Sequence, residues 1–331
     1  MAYDGKVMRR ALQRFEEDKR QREERFQERK NTIFYRQPRL KEVDERLRST
    51  ASRIVISALR YGTDPGPAVQ RLKEENLKLQ AEKRQLLASM GLPMDALEEK
   101  TACALCDDTG YRGGRVCGCL KKYYAQEQQK DLSRMLDLGS QSFATFLLDW
   151  YAEETHAELG ISCRANMKWV YNTCRKYARD FSLKSGNLLL SGSPGLGKTH
   201  LSAAIAREVS EKGFSVVYDT ASHVFERFET QKFGREEGEE VSGDVERIQN
   251  CDLLILDDLG TEMTTAFVQS ALYQIVNTRL IEKRPTIIST NLSPEKLAQR
   301  YSPQVASRIE GEYQLLPFVG EDIRKLKKER R

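Results

Sequence analysis

Residues 192–199 read Gly-Ser-Pro-Gly-Leu-Gly-Lys-Thr. The string meets the phosphate-loop pattern Gly-x-x-x-x-Gly-Lys-Ser/Thr at every fixed position. Gly192, Gly195 and Gly197 allow the backbone to curl so that N–H groups converge on phosphate oxygens. Lys198 places a point charge on the β- and γ-phosphates, and the Thr199 hydroxyl is a magnesium ligand. Pro194 and Leu196 within the loop, and His200 just after it, complete the candidate nucleotide-binding set. Asn187–Ser191 is a short apolar strand leading into the loop. Beyond it, Leu201, Ala204, Ile205 and Val209 recur at helical spacing, predicting a helix from about 198 to 212. The N-terminus of that helix adds partial positive charge to the anion site.

Farther along, Leu253-Leu-Ile-Leu-Asp257-Asp258 is an apolar run ending in two carboxylates. A buried strand takes this form when it delivers acids to a metal-bound phosphate. The two strings imply a chain that binds a nucleoside triphosphate with Mg²⁺ and hydrolyses it.

At 331 residues the chain has room for one such domain and a smaller companion. With 39% hydrophobic and 31% charged residues, a soluble protein with long polar helices is expected. No apolar run approaches the roughly 20 residues of a membrane span. The N-terminus is charged from the start and lacks a secretory apolar segment, so a cytoplasmic location without membrane contact is expected. Residues 1–50 carry 15 basic and 10 acidic side chains, and residues 324–331 carry 6 and 1. Basic excess at both ends is compatible with nucleic-acid contact and equally with solvated helices.

Residues 1–62 read as charged helix, broken by Tyr61-Gly-Thr-Asp-Pro-Gly-Pro67. Val69, Leu72, Asn76, Leu79, Lys83, Leu86 and Met90 then fall alternately three and four apart. That spacing suits a short coiled coil, or one amphipathic helix packed within its own domain. Cys103-x₂-Cys106 and Cys117-x-Cys119 follow, around a Gly-rich turn. In a cytosolic chain such paired thiols predict a structural Zn²⁺ with four thiolates, an iron–sulfur centre or redox switch being the alternative. Cys163, Cys174 and Cys251 read as ordinary buried thiols. The resulting division is a charged helical or coiled-coil region over 1–100, a cysteine module over 101–135 and an α/β domain over 136–331.

Phe143, Phe146, Leu147, Trp150 and Tyr151 precede the first strand, where such a largely aromatic set suits a core or an adenine-side wall. From Asn187 strands and helices alternate, with strands expected at 187–191, 214–218, 252–257, 286–290 and 313–318. This is the pattern of a doubly wound parallel α/β sheet.

Gly192–Thr199, Leu253–Asp258, Thr286-Ile-Ile-Ser-Thr-Asn291 and Val305-Ala-Ser-Arg308 resemble the Walker A, Walker B, sensor 1 and arginine-finger elements of the AAA+ ATPases. Leu256-Asp-Asp-Leu-Gly260 with Ser289-Thr-Asn-Leu292 resembles the DnaC/DnaI helicase-loader and IstB transposition-helper branch, over about residues 140–325. The cysteine segment resembles the zinc-bearing region of DnaI-type loaders. The resemblance implies a P-loop AAA+ domain with a five-stranded parallel sheet and flanking helices, preceded by a helical region with a small zinc module. It implies that Asp257 holds Mg²⁺ and that Asp258 polarises the attacking water, slowly because Asp is a methylene shorter than Glu. Asn291 would orient that water, and Arg308 would reach the ATP of a neighbouring copy, with Arg300 as the alternative finger. Arg324 is the nearest match to the arginine of a lid, which here is short.

The implied function is an ATP-dependent loader that delivers a DnaB-like replicative helicase to single-stranded DNA during replication, working as a homo-oligomer through its ATPase domain. An IstB-like regulator of transposition is the alternative, with a P-loop enzyme acting on a small molecule, or a module that only binds ATP, beyond it. In such loaders the segment 221–250 contacts single-stranded DNA. Here it offers Phe225, Arg227, Phe228, Lys232, Phe233 and Arg235 for stacking and phosphate contact, among an excess of glutamates.

Overall fold

The computed structural model describes residues 3–61, 66–136, 141–155, 160–233 and 239–329, with backbone alone at 51–61, 66–69, 133–136 and 239–242. The chain divides into two compact units, residues 14–115 and residues 1–13 with 116–331. The Pro/Gly break at 62–65, the Val69 side chain, Arg235, Glu236 and Glu237 lie outside the described residues, as do the side chains of Glu239 and Glu240.

Three long helices come first: α1 (Gly5–Arg36), α2 (Pro38–Tyr61) and α3 (Gly66–Ser89). α2 and α3 pack on each other inside one unit. The spaced face of α3 therefore meets α2 of its own chain, as an amphipathic helix within its domain. Leu79 and Leu87 are buried, and Leu86 and Met90 pack with Ile33, Leu40, Ala96 and Leu97. Charge fixes the register: Arg39 bonds Glu82 at 2.7 Å, Arg46 pairs with Glu75, and Lys83 donates to Asp44 at 2.9 Å. Asn76, the polar residue of the heptad pattern, accepts from Gln80 one turn on, at 2.8 Å.

Asp44 is buried and also receives Arg48 Nε at 2.8 Å, with Lys30 Nζ at 3.6 Å. Burial pushes its carboxyl up, but the Lys83 hydrogen bond and the charges of Lys83, Arg48 and Lys30 outweigh it. The net shift is downward.

A small hairpin, β1 (Tyr111–Arg112) and β2 (Arg115–Val116), leads to α4 (Gly118–Leu136) and α5 (Cys163–Arg179). The α/β core follows: β3 (Asn187–Ser191), α6 (Lys198–Glu211), β4 (Val216–Thr220), α7 (Ala221–Phe233), α8 (Glu239–Asn250), β5 (Leu253–Leu259), α9 (Ala266–Ile281) and β6 (Thr286–Thr290). α10 (Pro294–Arg300), α11 (Pro303–Glu312), β7 (Tyr313–Pro317) and α12 (Ile323–Glu329) complete it. The strands form one five-stranded parallel sheet in the order β4-β5-β6-β3-β7, the α/β architecture expected.

Alternate residues of each strand enter opposite cores, as the two-residue period requires. Leu188, Leu190, Tyr218, Ile255 and Ile287 pack on one face with α5 and α6. Leu189, Val217, Leu254, Leu256 and Ile288 pack on the other with α7, α8, α9 and α11. Cys163, Cys174 and Cys251 are buried, as expected. Ser293 and Ser302 cap α10 and α11 by accepting from Lys296 N and Val305 N, each with proline at the first helical position.

Two strands start later than expected, at 216 and 253. Ser215 and Asp252 account for this: Ser215 N donates to Asp252 Oδ2 and Asp252 N donates to Ser215 Oγ, both at 2.9 Å. Side chains there take the bonds a ladder would use. Arg279, wholly buried on α9, donates to the carbonyls of Ile248, Gln249, Cys251 and Pro285 and to Thr286 Oγ1. It joins the end of α8 to the starts of β5 and β6, where the converging carbonyls supply the negative potential its charge needs.

Replacing Asp44 by Asn leaves buried cations uncompensated and is expected to cost about 3 kcal/mol. Because the folded carboxyl titrates below its unfolded value of about 3.9, its contribution is full above that value and is lost as pH falls through the folded one. Urea unfolding of both proteins at neutral pH and near pH 3 reads this directly. Equal midpoints at neutral pH would contradict it.

Candidate nucleotide-binding site

The carboxyl ends of β3, β5 and β6 bring the site together. β3 runs into the glycine loop, and its glycines are required by close approach of the segment after β7. A Cβ on Gly192 would fall 2.2 Å from the Phe318 carbonyl, and one on Gly195 1.9 Å from Asp322 Oδ1. Phe318 N donates to Ser191 O at 2.7 Å and Ile323 N to Gly195 O at 3.1 Å. The loop is thus shaped by protein as well as open to a phosphate.

Lys198 is buried, and its ammonium donates to Gly192 O at 2.6 Å, Ser193 O at 2.8 Å and Asn291 Oδ1 at 2.7 Å. Desolvation pulls its pKa down, against the opposing pull of Asp258 and Asp257. Asn291, just past β6, is therefore already in contact with the loop lysine.

The Asp257 carboxylate is buried and receives three hydroxyls. Thr199 Oγ1 donates to Oδ2 at 3.0 Å, Tyr218 OH donates to Oδ2 at 2.7 Å, and Ser289 Oγ donates to Oδ1. Burial, reinforced by Asp257, raises the Tyr218 pKa far above its usual value, so the phenol remains a donor. Asp258 lies at a register shift between β5 and β6 and has φ +54°, an uncommon conformation for a residue with a side chain. Its N–H donates to Ser289 Oγ at 3.0 Å. Desolvation, then the Asp257 charge, raises its pKa, while Lys198 and Arg324 oppose the rise. A carboxylate of raised proton affinity accepts a proton better than an ordinary one.

A cavity of about 340 Å³ opens over these groups. Pro194, Gly195, Gly197, Lys198, Thr199 and His200 line it, with Asp258, Asn291 and Arg324. Phe146, Leu147 and Trp150 form another part of its wall, at the place suggested for an adenine-side surface. Leu196 instead buries its side chain in the core and offers its carbonyl to Tyr151 OH at 2.8 Å. Arg308 does not line the cavity: on α11 it stacks 5.0 Å over the Tyr273 ring and donates to Asn277 Oδ1 at 3.0 Å. Arg300 donates to the Glu262 carbonyl.

Tyr218 and Ser289 were not among the expected site residues. Each sits inside an apolar strand, where local pattern reads as core, and only the side-by-side placement of β4, β5 and β6 turns them toward Asp257.

The candidate DNA-contacting set of 221–250 is not one surface. Phe225 and Phe228 are buried in the core under β4 and β5, where an aromatic on the inner face of α7 packs. Arg227 is engaged by Asp219 at 3.4 Å and Asp244 at 3.6 Å. Lys232 and Phe233 are exposed. Phe233 lies 5.5 Å from Phe267, and the Lys232 ammonium lies 5.5 Å from each ring.

In the segment 103–119 the sulfur atoms of Cys103, Cys106, Cys117 and Cys119 all lie within 4.8 Å of one another. Tetrahedral thiolates at 2.3 Å from zinc would be about 3.8 Å apart, so the group fits that ion with small adjustment. Asp108 shapes the first turn by accepting from Ala102 N and Cys103 N, each at 2.9 Å, and from Arg22 at 3.3 Å. Among the described residues no helix is long and apolar enough to cross a membrane.

A family profile described as IstB-like ATP binding protein matches residues 174–309. The replicative helicase loader DnaC of Escherichia coli K12 is 29% identical over 150 residues, 45% of this chain and 60% of the relative. That of Buchnera aphidicola (Baizongia pistaciae) is 28% identical over 142 residues, 43% and 57% respectively. The chain thus spans about 60% or less of the length of these curated relatives. A crystal structure of the DnaC helicase loader is similar at 22% identity and a TM-score of 0.46, covering 55% of this chain and 99% of that one. One of DnaI is similar at 24% and 0.40, covering 46% and 85%. With the sheet order, the glycine loop and its paired carboxylates, the sequence matches show a chain similar to the AAA+ ATPases of the DnaC/DnaI helicase-loader and IstB-like branch.

Proposed function

We propose that the chain is an ATP-hydrolysing loader of a replicative helicase onto single-stranded DNA. The observation that carries the reading is the convergence of Lys198, Thr199, Asp257, Asp258 and Asn291 at one edge of the sheet. The similarity to DnaC loaders gives the direction of its use.

The residues fit a magnesium-bound triphosphate. Thr199 and Asp257 offer hard oxygen donors beside the loop, suited to that ion. Magnesium, when bound, neutralises charge on the phosphates. Lys198 exchanges two carbonyls and the Asn291 amide for phosphate oxygens, and Asn291 becomes able to orient a water. Asp258 takes the proton of that water. Tyr218 and Ser289 hold the Asp257 carboxylate against rotation. Arg324 adds positive charge from the α12 side. Arg308, outside its own cavity, acts on the nucleotide of an adjacent copy in a homo-oligomer. Zinc, when bound, cross-links the two halves of the 103–119 segment.

Phe233 and Phe267, with Lys232, offer a stacking platform for unpaired bases; aromatic stacking contributes about 1–3 kcal/mol per base. The IstB-like profile over 174–309 favours a second reading, regulation of transposition. Pulldown with the tagged chain and ATP separates the two: a replicative helicase supports the loader, and a transposase supports the alternative.

Arg308→Ala should leave ATP affinity intact and lower turnover by about a thousandfold. Mixing it with Lys198→Ala subunits should restore activity; normal turnover by Arg308→Ala alone would remove the assignment. Metal analysis should find one zinc per chain, lost in the Cys103→Ser/Cys106→Ser protein, and iron in its place would favour a cluster. Phe233→Ala should weaken binding of fluorescent oligo(dT) about tenfold or more. Unchanged binding would place the DNA contact elsewhere.

A further inference from the structure

The nucleotide cavity carries a polar atom that the protein leaves unsatisfied. Gln141 lines the cavity, yet its Oε1 is shielded from solvent and has no hydrogen-bond partner. A buried acceptor without a donor is unfavourable, and such groups call for an explanation. In a cavity the simplest is a donor that arrives with the ligand.

The backbone that follows Gln141 is held in place. The Ser142 carbonyl accepts from His200 Nε2 at 2.9 Å, which ties it to the first turn of α6. Ser142 N donates to Thr145 Oγ1 at 3.0 Å, closing the short 3₁₀ turn Phe143–Thr145. Tyr171 OH donates to the Phe143 carbonyl at 3.1 Å. Phe146 then stacks between Tyr151 and Tyr171, with centroids 5.9 and 5.7 Å away. His200, next to the magnesium-side Thr199, thus fixes the strand of chain that bears Gln141.

The cavity has two chemically distinct parts. Lys198 and the loop amides fix a triphosphate at one. Leu147 and Trp150, with Lys327 5.8 Å over the indole, supply flat and apolar surface at the other. A planar base suits that surface, and Gln141, with its unpartnered acceptor, lines the same cavity.

We propose that Gln141 accepts a hydrogen bond from the 6-amino group of adenine and is the residue that selects adenine nucleotides. The inference rests on the ATP reading above. Adenine presents an N–H donor at position 6, where guanine and hypoxanthine present a carbonyl. Glutamine also matches adenine in two-point fashion, accepting from N6 and donating to N7. A carbonyl facing Oε1 would set two acceptors against each other.

Equilibrium competition of ATP, ITP and GTP, each with Mg²⁺, against a fluorescent ATP analogue on the full-length chain tests this. The native protein should bind ATP about tenfold or more tighter than ITP, as one well-placed hydrogen bond implies. Gln141→Leu should bring the two within about twofold, with the loss falling on ATP, and Gln141→Glu, which keeps the acceptor, should retain the preference. The melting midpoint of ligand-free Gln141→Leu should not fall, because an unsatisfied acceptor has been removed; a marked fall would assign Gln141 a structural role and overturn the proposal. Equal binding of ATP and ITP by the native chain, or parallel weakening of both in Gln141→Leu, would also overturn it while leaving nucleotide binding intact. Failure of all three nucleotides and the analogue to bind would remove the ATP reading and this inference together.

Discussion

A single buried carboxylate, that of Asp257, organises the end of the sheet that borders the nucleotide cavity. Its three hydroxyl donors come from α6, β4 and β6, so four neighbouring elements, β5 included, meet at two oxygen atoms. A carboxylate out of water is costly unless it is hydrogen-bonded. Meeting that requirement fixes how far the glycine loop stands from the ends of β5 and β6. Lys198 makes the complementary connection, from the loop to Asn291 at the end of β6. These bonds hold the loop, the acid and Asn291 in fixed relation, and fixed groups are what charge stabilisation needs.

Asp258 stands apart from this well-bonded centre. At the register shift its backbone has positive φ, and its own carboxylate lines the cavity. Two adjacent acids in one strand would ordinarily face opposite ways, one on each side of the sheet. The irregularity lets both serve one site, Asp257 beneath it and Asp258 along its wall.

Much of this was legible in the chain itself. The β3 and β6 limits coincide with the apolar runs 187–191 and 286–290, because buried parallel strands bounded by turn residues leave an unambiguous pattern. The glycine loop and its lysine follow from spacing alone. The later starts of β4 and β5 depend on Ser215 and Asp252, 37 residues apart, bonding to each other. Tyr218 and Ser289 look like interior strand residues until the sheet order is known. Phe225 and Phe228 resemble a stacking surface in composition, but helical phase turns them into the core and leaves Phe233 outside. Gln141 has no local signature at all; its meaning lies in an unfilled acceptor. In the helical unit the alternating pattern of α3 suits either a partner helix or its own neighbour, and in the structure Lys83 of α3 donates to Asp44 of α2.

The account depends on a magnesium triphosphate seated in the glycine loop beside Asp257. Calorimetric titration of ATP into the full-length chain, with and without Mg²⁺, tests it most directly. Saturable binding at one nucleotide per chain, weakened when the metal is withdrawn, is the predicted result. Heats indistinguishable from dilution under both conditions would contradict the account at its foundation.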